Sequence, residues 1–505
     1  MWGSVKLKLI KSVLGQQGAG SSGATDDSLE ITGITYDSRQ VKPGFAFFCI
    51  PGEHVDGNQF IADAIKCGAA CVVTEKTPAQ SAVPAIVVPD VRGAMAAVSA
   101  EFYGHPSRQL RVIGITGTNG KTTTTHLLER ILTDCGMKTG LIGTLGTRTD
   151  AQGEYKDAKH TTPQAADLQR MLADMHKSGC RYVSMEVSSH ALAQKRVADC
   201  EFAVAVLTNI TQDHLDFHKT MEHYWRSKRL LFEALNDSKQ LNLSAVINYD
   251  DPLYKEFASV LGPKIRRLSY GWQAPADVHV SSCAYQSGGT KLKLATPEGP
   301  LEMNLRLAGQ FNVYNVMAAV AVCLAEGIDK QAIKQSLEAF PGVAGRFEVV
   351  STTNGNEPLC IVDYAHTPDG LDNVLKAAAH LVPPGGKLLV VFGCGGDRDP
   401  SKRPQMGKIA ESAAHEVIVT SDNPRSEEPE HIIQNILVGI QRMTHVKVEP
   451  DRAKAIRMAV SSASEQDVVV VAGKGHENYQ ILADKIIPFD DRQEVLAALQ
   501  ERACT

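Results

Sequence analysis

No stretch of this chain stays apolar for anything near the ~20 residues that a membrane-crossing helix needs, so no transmembrane helix is expected. Neither sign of charge prevails: 52 Lys and Arg stand against 57 Asp and Glu, a net charge of −5. That balance gives no electrostatic reason to expect nucleic acid or an acidic membrane surface as partner. The 11 cysteines are scattered through 505 residues without framework spacing. A disulfide scaffold is therefore not expected, and reduced thiols of a cytoplasmic protein are. Cys67 and Cys71 lie in a helical-looking segment with neither a second pair nor a histidine ladder nearby, and read as core cysteines rather than a metal site. No internal repeat is present. The one low-complexity tract, Gly15 to Gly23, reads as a mobile segment after a first helix over Met1 to Leu14. That helix carries Lys6, Lys8 and Lys11, but no cleavage-site pattern follows, so it is not expected to act as a signal peptide.

What is there is ordinary in bulk, with 43% hydrophobic and 22% charged residues, as in soluble globular proteins. The length is too great for one core, and three α/β domains are expected, over 1–107, 108–340 and 341–505. The first is mixed α/β, with a strand at Phe45 to Cys49, a helix at Ile61 to Cys67 and a breaker cluster at Gly104-His105-Pro106-Ser107. The second alternates strands (Thr139 to Ile142, Tyr182 to Glu186, Ala203 to Leu207, Ser244 to Asn248) with helices such as Pro163 to Ser178. Alternation of this kind predicts a parallel sheet covered by helices. Short antiparallel strands are expected over Asp277 to Leu305 and a small-residue helix over Asn312 to Glu326. The third segment repeats the parallel pattern with Leu388 to Phe392, Glu416 to Thr420 and Asp467 to Val471, each running into a polar loop. Ligands of open parallel sheets gather at such strand ends.

The densest chemistry lies in Arg111 to Thr125. An apolar run, Val112 to Ile115, breaks into Gly117-Thr118-Asn119-Gly120-Lys121-Thr122-Thr123, and a helical pattern resumes at His126. A strand, a glycine loop and a helix N-terminus together hold nucleotide phosphates: the glycines admit backbone N–H groups and the helix adds its partial positive charge. Lys121 can reach the terminal phosphates and the Thr122 hydroxyl can hold Mg2+. The strict G-x-x-x-x-G-K-[ST] spacing fails, because Ile115 stands where its first glycine would. The reading is a nucleoside-triphosphate enzyme. Two polar clusters follow later strands, Glu186-Val187-Ser188-Ser189-His190 and Thr208-Asn209-Ile210-Thr211-Gln212-Asp213-His214. A carboxylate at one of these strand ends suits a hard cation.

These runs, with Leu307 to Asn315, Gly345-Arg346-Phe347-Glu348, Val362 to Pro368 and Gly393 to Asp399, resemble the Mur ligases, the ATP-dependent amide-forming enzymes of peptidoglycan precursor synthesis. Within that family the last two runs resemble the member that adds the third residue of the stem peptide. The resemblance implies a UDP-binding N-terminal domain, a central P-loop ATPase-like parallel-sheet domain and a C-terminal Rossmann-like α/β domain. It also implies two steps: ATP phosphorylates the carboxylate of UDP-N-acetylmuramoyl-L-alanyl-D-glutamate, and an incoming amine displaces phosphate. Position by position it implies Mg2+ on Thr122, Glu186, His214 and a carbamylated Lys228, and ATP on the 117–123 loop, Asn315, Arg346 and Asp363. The UDP substrate would meet Tyr36, Ser38, Glu53, His54, Val55, Thr161, Thr162, Ser188, Gln194 and Arg196. Two departures from the pattern are Lys195, between Gln194 and Arg196, and His160, before the threonine pair.

The acceptor amino acid is argued from Asp422-Asn423-Pro424-Arg425. meso-Diaminopimelate differs from lysine by a distal carboxylate, which a planar, fixed-charge guanidinium can grip at two points. Arg425 and Arg398 could each take one carboxylate; Gly473 and Glu477, in Gly473-Lys474-Gly475-His476-Glu477, would offer backbone and a partner for the distal ammonium. The alternatives are the same ligase adding lysine, a folylpolyglutamate-synthetase-like relative, or a nucleotide-binding regulator that makes no amide. A cytoplasmic monomer is expected.

Overall fold

Strands apolar at every position, such as Val468–Ala472 and Val204–Leu207, can only lie where both faces are covered. They form the middles of two parallel sheets. The computed structural model describes residues 4–15, 20–22, 27–52, 55–78, 81–151, 153–156, 160–286, 289–352 and 357–503. Glu53 and His54 therefore lie outside the described residues.

The central sheet has ten strands. Arg111–Thr116 runs parallel between Tyr182–Glu186 and Val204–Leu207, with Glu186 opposite Ile115 and Leu207 opposite Thr116. That register sets Gly117, Glu186 and Thr208 side by side at the carboxyl edge. Ser244–Asn248 and Arg266–Gly271 extend the parallel run, and Val278–Gln286, Gly289–Ala295 and Leu301–Leu305 continue it as an antiparallel meander. The helix Gln310–Ala325, whose residues are all small or apolar from Val316 on, is buried along most of its length and packs beside Lys121–Asp134.

The third sheet has six strands ordered Glu348–Val350, Leu359–Asp363, Val468–Ala472, Leu388–Phe392, Glu416–Val419 and Val446–Val448, parallel apart from the first. Against it the helices Arg452–Ser462 and Asp491–Ala503 meet through a fully buried ion pair: Arg452 Nε and Nη2 each donate to Asp491 at 2.7 Å. Arg452 also donates to the carbonyls of Ser421 and Ala472, so it pins both loops that follow those strands. Arg452→Met leaves Asp491 buried without its partner, and unfolding should become easier by about 3–5 kcal/mol in urea titrations. A change below about 1 kcal/mol would remove the pair from the list of structural supports.

The first sheet is ordered Gly20–Ser22, Ala85–Val87, Cys71–Thr74, Phe45–Phe48, Gly33–Thr35. Two features of this region differ from the sequence expectation. The Gly/Ser tract is not wholly mobile, because Gly20–Ser22 pairs antiparallel with Ala85–Val87; an edge strand needs only backbone donors and acceptors, which that composition supplies. The first helix starts at Leu7 rather than Met1, since Val5–Lys6 pair with Glu30–Ile31. All cysteines among the described residues are free; Cys71 is buried in a strand, whereas Cys67 caps the helix Ile61–Lys66 and is exposed, so it is not a core residue.

The first sheet is not separate from the central one. Ala165, Ala166 and Ala173 of the helix Ala165–Lys177 sit in its hydrophobic core with Ala94, Met95 and Val98. Lys195, the first of the two departures noted in the sequence, crosses the same boundary: its Nζ lies 2.6 Å from Oδ2 of Asp90, which caps the helix Val91–Phe102.

Candidate active site

A cleft of about 430 Å³ opens between the carboxyl edge of the central sheet and the loops of the third. Its floor is the phosphate loop. Gly117 and Gly120 have φ of 145° and 86°, a range that favours glycine. A Cβ on Gly117 would stand 1.8 Å from Thr208 Oγ1, and one on Gly120 2.3 Å from Asn315 Oδ1. Lys121 Nζ donates to the carbonyls of Gly117 (2.9 Å) and Thr118 (2.8 Å). Lys228 Nζ donates to the same Gly117 carbonyl at 2.7 Å and lies over the Tyr224 ring. Lys228 is buried and Lys121 half-buried, and desolvation lowers the pKa of each; for Lys228 the neighbouring Lys121 charge adds to a large downward shift.

Glu186 sits at the wall, completely buried. Its Oε2 accepts from the hydroxyls of Thr122 and Thr144, each at 3.1 Å, and its Oε1 accepts from Thr144 N at 2.8 Å. His214 enters from the loop after Val204–Leu207, its ring 4.7 Å from that of His190. Burial pushes it down to about 3 against the pull of Asp213, so the imidazole is neutral and able to act as a ligand. Among the described residues no three of His, Cys, Asp or Glu gather into a metal cluster. Thr122 and Glu186 touch directly, and His214 reaches the same cleft from a separate loop. The Thr122 hydroxyl and the Glu186 carboxylate are hard oxygen donors that fit Mg2+, with the neutral His214 imidazole lining the same cleft.

The third sheet closes the cleft. Arg346 Nη2 donates to Thr122 Oγ1 at 3.1 Å and its guanidinium lies 4.3 Å from the Tyr364 ring centre. Asp363 accepts from Phe347 N (2.6 Å) and Ala365 N (2.7 Å), and burial raises it to about 6. Asp369, in the first turn of the helix Pro368–Ala379, takes the Asn119 amide at 2.6 Å and so ties the phosphate loop to the third sheet.

On the far side of Tyr364, whose ring packs 5.1 Å from that of His476, lies a second polar group. Asn423 Nδ2 donates to Glu477 Oε2 at 2.8 Å, and Lys474 Nζ donates to Glu477 Oε2 (3.0 Å) and Asn423 Oδ1 (3.2 Å). Gly473, at φ 121°, leaves room for Asp422, whose Oδ2 would stand 2.6 Å from a Cβ there. Arg425 follows Pro424 with φ 55° and donates from Nη1 to the Gly396 carbonyl at 2.7 Å. Arg398 is near enough to lower its pKa further, after burial.

Residues 115–323 match the Mur ligase middle domain, 345–475 the Mur ligase glutamate ligase domain, and 30–103 the Mur ligase family catalytic domain. A protein of Halalkalibacterium halodurans named UDP-N-acetylmuramoyl-L-alanyl-D-glutamate–2,6-diaminopimelate ligase is 48% identical over 474 residues, covering 94% of this chain and 95% of that one. The chain belongs to the Mur ligase family. A protein of the same name from Thermosynechococcus vestitus is 46% identical, again over 94% of each. A solved structure titled with that name matches all of both chains, with a TM-score of 0.70 at 33% identity. The MurF ligase of Thermotoga maritima in complex with ADP has a TM-score of 0.65 at 20% identity, covers 93% of this chain and 97% of that one, and shares the fold.

Within this Mur ligase, the cleft gathers Thr118, Asn119, Gly120, Lys121, Thr122, Thr123, Thr161, Glu186, Ser188, His214, Lys228, Asn315, Arg346 and Asp363. Thr162 adjoins them, donating to the Glu186 carbonyl and accepting from Ser188 N. Arg196 reaches the Thr162 carbonyl at 3.0 Å and grips Gln194, while Tyr36 donates to Asp167 at 2.9 Å. Ser38 opens a short helical turn capped by Asp37, and Val55 is exposed; neither touches the cleft. The residues from Arg398 to Glu477 form their own group behind Tyr364. Sequence reading missed Thr144, Asp369, and the placement of Lys474. A signal existed for the first, a polar residue right after the Thr139–Gly143 strand, and for the second, an acid at the start of a Thr-Pro-Asp helix.

Proposed function

We propose that this chain joins meso-diaminopimelate to the D-glutamate carboxylate of UDP-N-acetylmuramoyl-L-alanyl-D-glutamate at the expense of ATP, in peptidoglycan precursor synthesis. The observation that carries the reading is the single cleft in which the Lys121–Thr122 phosphate loop and Glu186 face Arg346 and Asp363, with the Arg425 group one aromatic ring away. Lys121 and Arg346 stabilise charge on the transferring phosphoryl group, and the acyl phosphate then meets the amine delivered from the Asn423–Glu477 side. No protein nucleophile is required; positioning and charge neutralisation carry the rate.

Thr122, Glu186, His214 and a carbamylated Lys228 would hold Mg2+, which neutralises phosphate charge when bound. Asn315 and Asp363 serve the nucleoside, and Tyr36, Ser38, Thr161, Thr162, Ser188, Gln194 and Arg196 the UDP-linked substrate. We assign the work to units 1–107, 108–340 and 341–505, in a cytoplasmic monomer. Among the described residues no helix is long and apolar enough to cross a membrane.

The test is phosphate release from ATP with the UDP-linked dipeptide, comparing meso-diaminopimelate with L-lysine. Release and a tripeptide product with diaminopimelate alone is the expected result; preference for lysine overturns the acceptor, and no product with either overturns the ligation. Lys228→Ala should lose most activity and regain part of it with millimolar short carboxylic acids; absence of any rescue counts against the carbamate.

A further inference from the structure

Lys474 is a buried cation that the reaction itself does not use. It is 0% exposed, it is held by Glu477 and Asn423, and the Tyr479 ring lies 5.4 Å from its Nζ. A buried ammonium is costly unless a carboxylate answers it, and here Glu477 does so through Oε2. The same carboxylate is the group expected to take the distal ammonium of the acceptor.

The charges around this pocket balance in pairs. Glu477 is answered by Lys474, and Asp491 by Arg452. Asp422 lies within electrostatic reach of Arg425, as Asp397 does of Arg398 at the rim. These four pairs sum to zero net charge. The distal end of diaminopimelate, one carboxylate and one ammonium, is neutral too, so it enters without leaving net charge out of water. The distal end of lysine is a lone cation, and it would bring an uncompensated positive charge beside Lys474 and Arg425.

We propose that Lys474 is a specificity-determining residue: by cancelling Glu477 it keeps the acceptor pocket neutral, so that a zwitterionic distal group is accepted and a lone ammonium is refused. The inference rests on the ligase reading above. It adds a second source of discrimination to the guanidinium of Arg425, acting through the sign of the whole pocket rather than through a contact with the extra carboxylate.

The experiment compares kcat/KM for meso-diaminopimelate and L-lysine in the full chain. Lys474→Met leaves the pocket with one excess negative charge, and the diaminopimelate-to-lysine ratio should fall by about tenfold or more. Lys474→Arg keeps the charge and should keep the ratio, even where overall activity drops. If Lys474→Met does not fold, the charge-balanced double variant Lys474→Met/Glu477→Gln, which buries no unpaired carboxylate, should fold and keep a ratio near that of the native protein. Equal loss with both acceptors in Lys474→Met, or a ratio shifted as far in Lys474→Arg or in the double variant as the proposal expects for Lys474→Met alone, overturns the proposal. Absence of acceptor-dependent turnover in the native protein would instead overturn the ligase reading, so the two failures are distinguishable.

Discussion

Lys121→Ala should stop ATP turnover while leaving the UDP-linked substrate bound. The ammonium lies at the mouth of the phosphate loop, fixed by the Gly117 and Thr118 carbonyls rather than by a carboxylate. Desolvation there disfavours a cation, and the charges of Glu186 and Asp213 offset that cost only in part. Polyphosphate oxygens supply the missing counter-charge, and the attraction is greatest where negative charge builds up on the transferring phosphoryl group. Removing it should lower kcat by on the order of a thousandfold or more. Binding of the UDP-linked dipeptide, followed calorimetrically without ATP, should change less than about threefold, because Tyr36, Thr162 and Arg196 stand outside the loop. Turnover within tenfold of the native protein would refute the phosphate-loop assignment.

Arg425→Ala should fall almost entirely on the acceptor. Its backbone adopts a left-handed φ that a non-glycine side chain avoids, held by its N–H on the Ile481 carbonyl, and the guanidinium is steered by the Gly396 carbonyl. A two-point grip on a carboxylate in a half-buried site is among the stronger polar contacts. Its loss should reduce kcat/KM for diaminopimelate by roughly a hundredfold to a thousandfold, mostly through KM, with KM for ATP unchanged. Lysine, which has no distal carboxylate, should lose nothing. An unchanged KM for diaminopimelate would take Arg425 out of the specificity site.

The phosphate loop was readable because its parts are neighbours in sequence: Gly117, Gly120, Lys121 and Thr122 carry their own geometry. The strands Val468–Ala472 and Leu388–Phe392 were readable because burial on both faces leaves no room for polar residues. What could not be read depends on partners far away in the chain. Thr144 meets Glu186 across 42 residues, Asn119 meets Asp369 across 250, and Lys474 meets Asn423 across 51. No local pattern announces such contacts; they exist only once the sheets have set the strand ends side by side. Gly20–Ser22 escaped for the opposite reason, since a strand that pairs through backbone alone leaves no mark in its side chains.

The alanines of the helix Ala165–Lys177 inside the first sheet's core, and the Lys195–Asp90 bridge beside them, bear on how this protein can be taken apart. A fragment cut after the breaker cluster at Gly104 would carry a raw apolar scar where that helix belongs, and should clump rather than fold cleanly. Chimeras that exchange the front module between relatives will need to transplant the helix with it. Among the described residues the third sheet's helices share no such core with the front module, so it is the natural piece to swap when a new acceptor is wanted.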